Sequence, residues 1–334
     1  MTLVNVQCRL AARPVGLPKP SDWDYIEEDA PEPGENQFRV QVEYVSVDPA
    51  MRGWMNAGRS YVPAVEIGEV MRAGAIGRVT DSRHPDYQVG EQVFGTFGVQ
   101  RYALSDGRGV TRVDTTLAPA PAHLGVLGIS GLTAYFGLLD VGRPEPGQTV
   151  LVSGAAGSVG TVAGQIAKIK GCRAIGIAGG AEKCRWLVEE LGFDAAIDYK
   201  GDDVRARLRE HAPDGVDVFF DNVGGAALEE ALRRLARGAR IVLCGAVSQY
   251  NATEAPKGPS NYMQLLVARA SMTGFVIFDY AKRYPEGIAQ LAKWLDSGEL
   301  KSYEDLVEGQ ITDFPETLLR LFRGENLGKL VLAV

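Results

Sequence analysis

Histidine is scarce in this chain: three occur in 334 residues, His84, His123 and His211. Cysteine is almost as rare, limited to Cys8, Cys172, Cys184 and Cys244, with no Cys-x-x-Cys pair. A chain this long does not need disulfide staples, and four reduced thiols are the plain reading. No apolar run approaches the roughly 20 residues that span a bilayer. The opening "MTLVNVQCRLAARP" has no cationic stretch followed by an apolar core and a small-residue cleavage site. No secretory signal is therefore expected, and the expected location is cytoplasmic. Excess positive charge is also missing. A net charge of −7 disfavours binding to nucleic acid and points to a small-molecule partner, with no membrane role.

What is present is ordinary in bulk and specific in pattern. Hydrophobic content of 46% and charged content of 23% suit a globular protein. The length allows two domains and a large core. The N-terminal third is dense in turn signals such as "APEPGEN", "SVDPAMRG" and "SDGRG". Between them lie short alternating runs. "FRVQVEYVSV" sets Phe38, Val40, Val42 and Tyr44 on one face, the period of a half-buried strand, and "GEQVFGTFGVQRYAL" is a second β-rich stretch.

From about Leu124 apolar strands alternate with helical patterns. "TVLVSG", "RAIGIAG", "DAAIDY", "GVDVFFDNVG", "ARIVLCG" and "SMTGFVIF" read as six buried strands. Val159, Val162, Ala163, Ile166 and Ile169 share one helical face. Cys184, Leu187, Val188 and Leu191 share another, as do Ile288, Leu291, Ala292 and Leu295. Such alternation predicts an α/β fold with a doubly wound parallel sheet of the Rossmann kind. The tail, "GQITDFPETLLRLFRGENLGKLVLAV", has a strand–helix–strand look and is expected to return to the N-terminal domain. The expected division is a β-rich substrate domain of residues 1–123 and 309–334 and a nucleotide-binding domain of residues 124–308.

The stretch "VLVSGAAGSVGTVAGQIAKIKG" carries the main chemical signal. Ala155, Gly157 and Gly160 fit A-x-G-x-x-G, with Ser158 and Val159 between the last two. Ala155 is expected at the tight turn off the strand. Gly157 lets the backbone approach a pyrophosphate, and Gly160 lets helix and strand pack closely. Free N–H groups at the helix start then face the phosphates. A plain strand–helix turn would show the same glycines, but the flanking strand, amphipathic helix and second strand favour a dinucleotide.

The tip of the second strand indicates which dinucleotide. An NAD site places an acid there for the ribose 2′-hydroxyl. Here the strand ends in Ala178, Gly179 and Gly180, with Glu182 and Lys183 later, in the helix start. A small-residue gap beside a cation suits a 2′-phosphate, which predicts NADP(H). Tyr199 ends the neighbouring third strand, where its hydroxyl reaches the same place. The alternatives are a solvated helix lysine and a surface strand cap.

A catalytic zinc would need cysteine and histidine ligands. A β-rich domain followed by a Rossmann-type domain resembles the order of the medium-chain alcohol dehydrogenases, and that resemblance implies a ligand His-Glu pair near "VEIGEVM"; here Gly68-Glu69 stands with no His, and no cysteine cluster forms a structural zinc lobe. His84 and His123 sit in turn contexts and are expected to be solvated. Without a Lewis acid, conjugate reduction of a C=C bond is the better fit than ketone–alcohol exchange.

"SVDPAMRG", "GISGLTAYFGLLDVG", "AAGSVGTVAGQIAKIKGC", "GFDAAIDYK", "DNVGG", "GAVSQYN" and "GENLGK" together resemble the zinc-independent medium-chain dehydrogenases/reductases. The branch is that of the prostaglandin reductases and leukotriene hydroxydehydrogenases, with the plant double-bond reductases and bacterial curcumin reductases. The resemblance covers nearly the whole chain. It implies a GroES-like N-terminal domain, NADP(H) as cofactor and a homodimer joined through the last Rossmann strand. It implies that Lys183 and Tyr199 bind the 2′-phosphate and that Asn222 and Val223 lie near the cofactor. Thr133 would approach the nicotinamide, the backbone of Phe275, Val276 and Ile277 would flank its carboxamide, and Asn326 would reach the phosphates.

Tyr250, in the loop beginning "SQYNATEAPKGPSNY", is the implied catalytic residue. Its phenol would donate to the substrate carbonyl oxygen as an enolate forms. The phenol or a cofactor ribose hydroxyl would relay the proton. An aromatic wall packed on the substrate is the other reading of this residue. Met51, Tyr61 and Tyr262 are candidate pocket walls. The loop "GRSYVPAVEIGEVMRAG" departs from the mammalian pattern, so the expected substrates are small α,β-unsaturated ketones and aldehydes or curcuminoids. A quinone reductase of the same superfamily and a non-catalytic nucleotide-binding protein are the alternatives.

Overall fold

A computed structural model describes residues 3–334. The chain forms two compact units, one holding the chain up to Leu124 with Glu304–Asn326 and Leu330–Val334, the other Gly125–Tyr303 with Leu327–Lys329. The chain thus re-enters the first unit at Glu304, ahead of residue 309.

In the first unit β1 (Val4–Leu10) pairs antiparallel with β2 (Trp23–Asp29). β3 (Phe38–Ser46) is followed by a short helix α1 (Ala50–Trp54), then β4 (Ala75–Ser82), β5 (Gln92–Gly95), β6 (Tyr102–Ser105) and β7 (Thr111–Arg112). β3 lies between β4 and β6 for part of its length, both antiparallel to it. Its alternation holds for Phe38, Val40 and Val42, which are buried and join Met51, Met55, Met71, Phe314 and Leu318 in one core. Past Val42 the register shifts, so Val45 enters that core and Tyr44 is half-buried against a second cluster with Ile76 and Val331. His84 and His123 are half-buried and hydrogen-bonded rather than solvated. His84 Nδ1 accepts from the Asp86 amide at 3.1 Å, and His123 Nε2 lies 3.1 Å from the Asp114 carbonyl. Burial pulls the His123 pKa below its ordinary value.

The second unit begins with α2 (Ile129–Phe136), which runs into a wide π-helical turn over Gly137–Gly142. β8 (Thr149–Ser153), α3 (Ser158–Ile169), β9 (Arg173–Ala178), α4 (Ala181–Glu189), β10 (Ala195–Asp198) and α5 (Val204–His211) follow. β11 (Val216–Asp221), α6 (Gly225–Leu232), β12 (Leu235–Leu243), α7 (Gln264–Ala268), β13 (Ser271–Gly274) and α8 (Tyr284–Asp296) complete it. The sheet order is β10-β9-β8-β11-β12-β13, with every pair parallel. The order reverses between β8 and β11, and the carboxyl ends of strands at such a switch point are where open α/β sheets bind their ligands. In the tail, β14 (Glu304–Glu308), α9 (Phe314–Arg323) and β15 (Lys329–Ala333) follow, and β15 pairs antiparallel with β3.

Two expectations need correction. The last Rossmann strand stops at Gly274, and Ile277–Arg283 is a 3-10 helix. The Phe275 ring turns onto the end of α2, where a Cβ on Gly137 would come within 2.5 Å of it, and meets Tyr280 edge-on. Its apolar surface is covered by helices instead of a strand. β13 is also mostly exposed, not buried. On α4 only Leu187 is buried, while Val188 is 39% exposed.

Candidate active site

The fingerprint turn follows directly from small residues at the end of β8. The left-handed residue is Gly154, at φ 58°, one position before the Ala155 expected to make the turn. Ala155 is fully buried, and its N–H donates to the Ile177 carbonyl at 3.0 Å, tying the turn to β9. Gly160 packs as its role requires: a Cβ there would lie 2.3 Å from the Gly154 carbonyl oxygen. Gly157 is the N-cap of α3 and has an open outer face, where a Cβ would touch only the Gly154 oxygen, at 3.3 Å. Ser158 opens the helix, and its hydroxyl oxygen is buried without a hydrogen-bond partner. Val159 follows it, half-buried, on the first turn.

The tail also contributes. The Gly328 N–H donates to the Ala156 carbonyl at 2.8 Å, and Gly328 forms a parallel bridge with Gly157. Gly328 stands at φ 66°, and a Cβ there would meet the Tyr303 carbonyl oxygen at 2.2 Å. Sequence reading chose Asn326 from "GENLGK"; that residue is buried in the first unit, while Gly328 is the one on the fingerprint turn.

At the far end of β9, the Tyr199 ring covers Gly179. A Cβ on Gly179 would fall 2.9 Å from three ring and hydroxyl atoms of Tyr199. Tyr199 itself is 56% exposed, and Lys183 is half-buried in the first turn of α4. An exposed phenol and a cation beside a residue without a side chain leave room for a phosphate group.

The switch point is organised by Asp221, which sequence reading passed over in favour of its neighbour Asn222. Asp221 ends β11 and is fully buried. Its Oδ1 accepts from the Ser153 hydroxyl at 2.6 Å and from the Val223 and Gly224 amides at 3.0 Å each, while Oδ2 has no partner. Burial pushes its pKa above the ordinary carboxylate value, and the three hydrogen bonds pull the other way with less effect. The Asn222 amide donates to Ser153 Oγ at 2.9 Å, and Asn222 Nδ2 donates to the Ser153 carbonyl at 2.7 Å. Withdrawal from water pushes the nearby Cys244 thiol up to about 12, so it is no nucleophile.

This turn carries the loop that bears Tyr250. The Asp221 carbonyl accepts from the Cys244 and Gly245 amides, the Asn222 carbonyl from Val247 and the Val223 carbonyl from Ser248. The Tyr250 phenol oxygen accepts from the Ala246 amide at 3.3 Å and lies 2.9 Å from where a Gly245 Cβ would be. The phenol is thus folded back over the ends of β11 and β12, and that hydrogen bond does not use the phenol proton.

The remaining candidates differ. Thr133 Oγ1 donates to the Ile129 carbonyl at 2.7 Å inside α2, leaving its oxygen lone pairs for a donor. The Val276 carbonyl accepts from the Asp279 amide, and the Ile277 carbonyl from the Tyr284 hydroxyl at 3.2 Å. Met51 has no exposed surface; its side chain is spent in the core of the first unit and offers no wall to a ligand in this conformation. Tyr61 is exposed in the first unit, with Trp54 Nε1 donating to its hydroxyl at 3.4 Å, and Tyr262 is exposed in the second. Among the described residues no three His, Cys, Asp or Glu side chains are gathered as metal ligands.

The open cradle at Gly157 and the orphaned Ser158 hydroxyl at a helix start fit a pyrophosphate. Together with the switch point they define a dinucleotide-binding α/β protein. Comparison with known proteins agrees. Residues 6–113 match the family described as the N-terminal domain of oxidoreductase, and residues 158–294 match the one described as zinc-binding dehydrogenase. The NADPH-dependent curcumin reductase of Escherichia coli is 42% identical over 97% of this chain and 95% of its own. The NADP-dependent 2-alkenal reductase of Nicotiana tabacum is 36% identical over 99% and 97%. The crystal structure of CurA from Vibrio vulnificus in complex with NADPH superposes with a TM-score of 0.93 at 42% identity, over 98% of this chain and 99% of that one. The chain belongs to the medium-chain dehydrogenase/reductase family, in its zinc-independent branch of NADP-dependent double-bond reductases.

Proposed function

We propose that the chain uses NADPH to reduce the C=C bond of α,β-unsaturated ketones and aldehydes, curcuminoids included. Relatives named for such substrates, and a solved relative holding NADPH, support this. The observation that carries the reading is the Tyr250 phenol, folded over the ends of β11 and β12 on the same sheet edge as the fingerprint turn.

When bound, the reduced nicotinamide supplies a hydride. The chain's own residues do the rest. Gly157, Ser158 and the first N–H groups of α3 hold the pyrophosphate. Lys183 and Tyr199 bind the 2′-phosphate by charge and hydrogen bond. Asn222, Val223 and Thr133, with the backbone of Phe275 to Ile277, set the nicotinamide end. Tyr250 donates a hydrogen bond to the substrate carbonyl oxygen, where negative charge gathers as the β-carbon is reduced. A phenol is weakly acidic near neutral pH, so donation of a hydrogen bond outweighs full proton transfer.

The working form is a cytoplasmic homodimer joined at β13. In support, β13 ends the sheet order, and α7, which leads into it, exposes Leu266 and Val267, with Met263 exposed just before the helix. A bare edge beside exposed apolar side chains is a surface that a protein normally covers.

NADPH oxidation with an alkenone, with a quinone and without acceptor tests the reading. Alkenone-dependent oxidation giving the saturated ketone is expected. Turnover with the quinone alone, or coenzyme binding without turnover on any enone, overturns it.

A further inference from the structure

We infer that Asp198 is a positioning residue for coenzyme selectivity: it fixes the Gly179–Gly180 turn beneath the Tyr199 ring and so builds the place where a 2′-phosphate is read. This rests on the NADPH reading above and adds a residue to it.

Asp198 ends β10 directly opposite Ala178, the last residue of β9. Its Oδ1 accepts from the Gly180 amide at 2.7 Å and from the Lys200 amide at 2.9 Å. Gly180 is the N-cap of α4, at φ 102°, and has no side chain with which to cap the helix. From the next strand Asp198 accepts from the Gly180 amide itself, one of the N–H groups at this end that have no partner within the helix. Its own amide donates to Asp202 Oδ2 at 3.0 Å, and its carbonyl accepts from Asp202 at 2.8 Å and Gly201 at 3.2 Å. Tyr199 is held in the same knot, its amide donating to the Ala178 carbonyl at 3.1 Å. A Cβ on Gly179 would lie 2.9 Å from the outer atoms of the Tyr199 ring, so a side chain there would push the ring aside.

Two consequences follow for the ligand. The Gly180 amide is already committed, so discrimination at the adenosine end falls to side chains, Lys183 and Tyr199. The acid also stands one strand away from the tip where an NAD-type acid reads the ribose hydroxyls, with one oxygen committed to two backbone amides. Those amides hold Asp198 below the ordinary carboxylate value. It therefore stays ionised, and the turn stays set, across the neutral range.

The test is a fluorescence titration of NADPH and of NADH into the wild type, Asp198→Asn, Asp198→Ala and Gly179→Ala, each checked for folding by circular dichroism. Asp198→Asn keeps the accepting oxygen and should hold the NADPH:NADH affinity ratio within about threefold of wild type, or raise it as a negative charge is lost. Asp198→Ala frees the turn and should lower the ratio about tenfold. Gly179→Ala, which displaces Tyr199 with Asp198 intact, should lower it in the same direction. If Asp198→Ala does not fold, Gly179→Ala and Asp198→Asn decide: an unmoved ratio in the former, or a fall in the latter, overturns the inference. Equal weakening of both coenzymes in Asp198→Ala also overturns it. A wild type without preference for NADPH overturns the coenzyme reading and this inference together. A wild type that prefers NADPH, with the ratio unchanged in Asp198→Ala, overturns this inference alone.

Discussion

The Ser153 hydroxyl donates to Asp221 Oδ1 at 2.6 Å, joining two residues 68 positions apart in the chain. The two strands they end, β8 and β11, flank the switch point. The bond makes a buried acid the fixed reference for the turn that follows, and through that turn for the loop of Tyr250.

Asp221 should therefore give opposite results with two substitutions. Asp221→Ala strands one hydroxyl and two amides and should cost about 1–3 kcal/mol of stability. Asp221→Asn keeps the accepting oxygen. In the wild type the folded chain holds this proton to higher pH than the unfolded chain. Stability is thus lost as pH rises from the unfolded value of about 3.9 through the raised folded value. Urea denaturation over a pH series should show Asp221→Asn gaining on the wild type as pH rises through that window.

Gly157 and Gly160 separate binding from folding. Gly160→Ala drives a Cβ to 2.3 Å from a backbone oxygen and should lower stability by about 1–3 kcal/mol. Gly157→Ala meets one atom at 3.3 Å and should fold with little change while losing coenzyme affinity. Thermal melts and NADPH titrations distinguish the two.

Tyr250→Phe should lower kcat with an alkenone by about a hundredfold, the size of one lost oxyanion donor. Coenzyme affinity should stay within about threefold, because the loop is held by backbone bonds from residues 244–248. A fall in coenzyme affinity with kcat unchanged would instead make Tyr250 a wall.

Lys183→Ala should weaken NADPH binding and leave NADH binding nearly unchanged. The difference should shrink as salt is raised, since screening weakens an exposed charge–phosphate attraction. Paired titrations at low and high ionic strength measure both effects.

Thr273→Pro removes an amide from β13 at the sheet edge, and Leu266→Glu puts a charge on a side chain that is 69% exposed. Either should shift the protein from dimer to monomer in light scattering. A wild type that is monomeric at all concentrations would refute the dimer.

Much of the second unit was legible in the chain. Strands β8 to β11 fall inside the apolar runs that announce them, because a strand buried on both faces needs an uninterrupted apolar segment, while β12 begins at Leu235, four residues ahead of its run. The last run, "SMTGFVIF", misled because Phe275 finds its cover on Gly137, a partner that no local pattern specifies. Met51 misled for a related reason: a methionine in a turn-rich segment suits a pocket and a core equally, and the core took it.

By itself the sequence determined the parallel sheet, the fingerprint turn and the coenzyme class, because periodicity and the lack of a side chain act over a few neighbouring residues. Tertiary structure decided what each polar group does. Asp221 became a buried acid because β8 brought Ser153 beside it, and Asp198 came to accept from the Gly180 amide because β9 ended opposite it. Gly328 came to the fingerprint turn from the end of the chain. Hydrogen bonds are short and directional, so their partners are set by which strands lie side by side, and only the folded sheet fixes that.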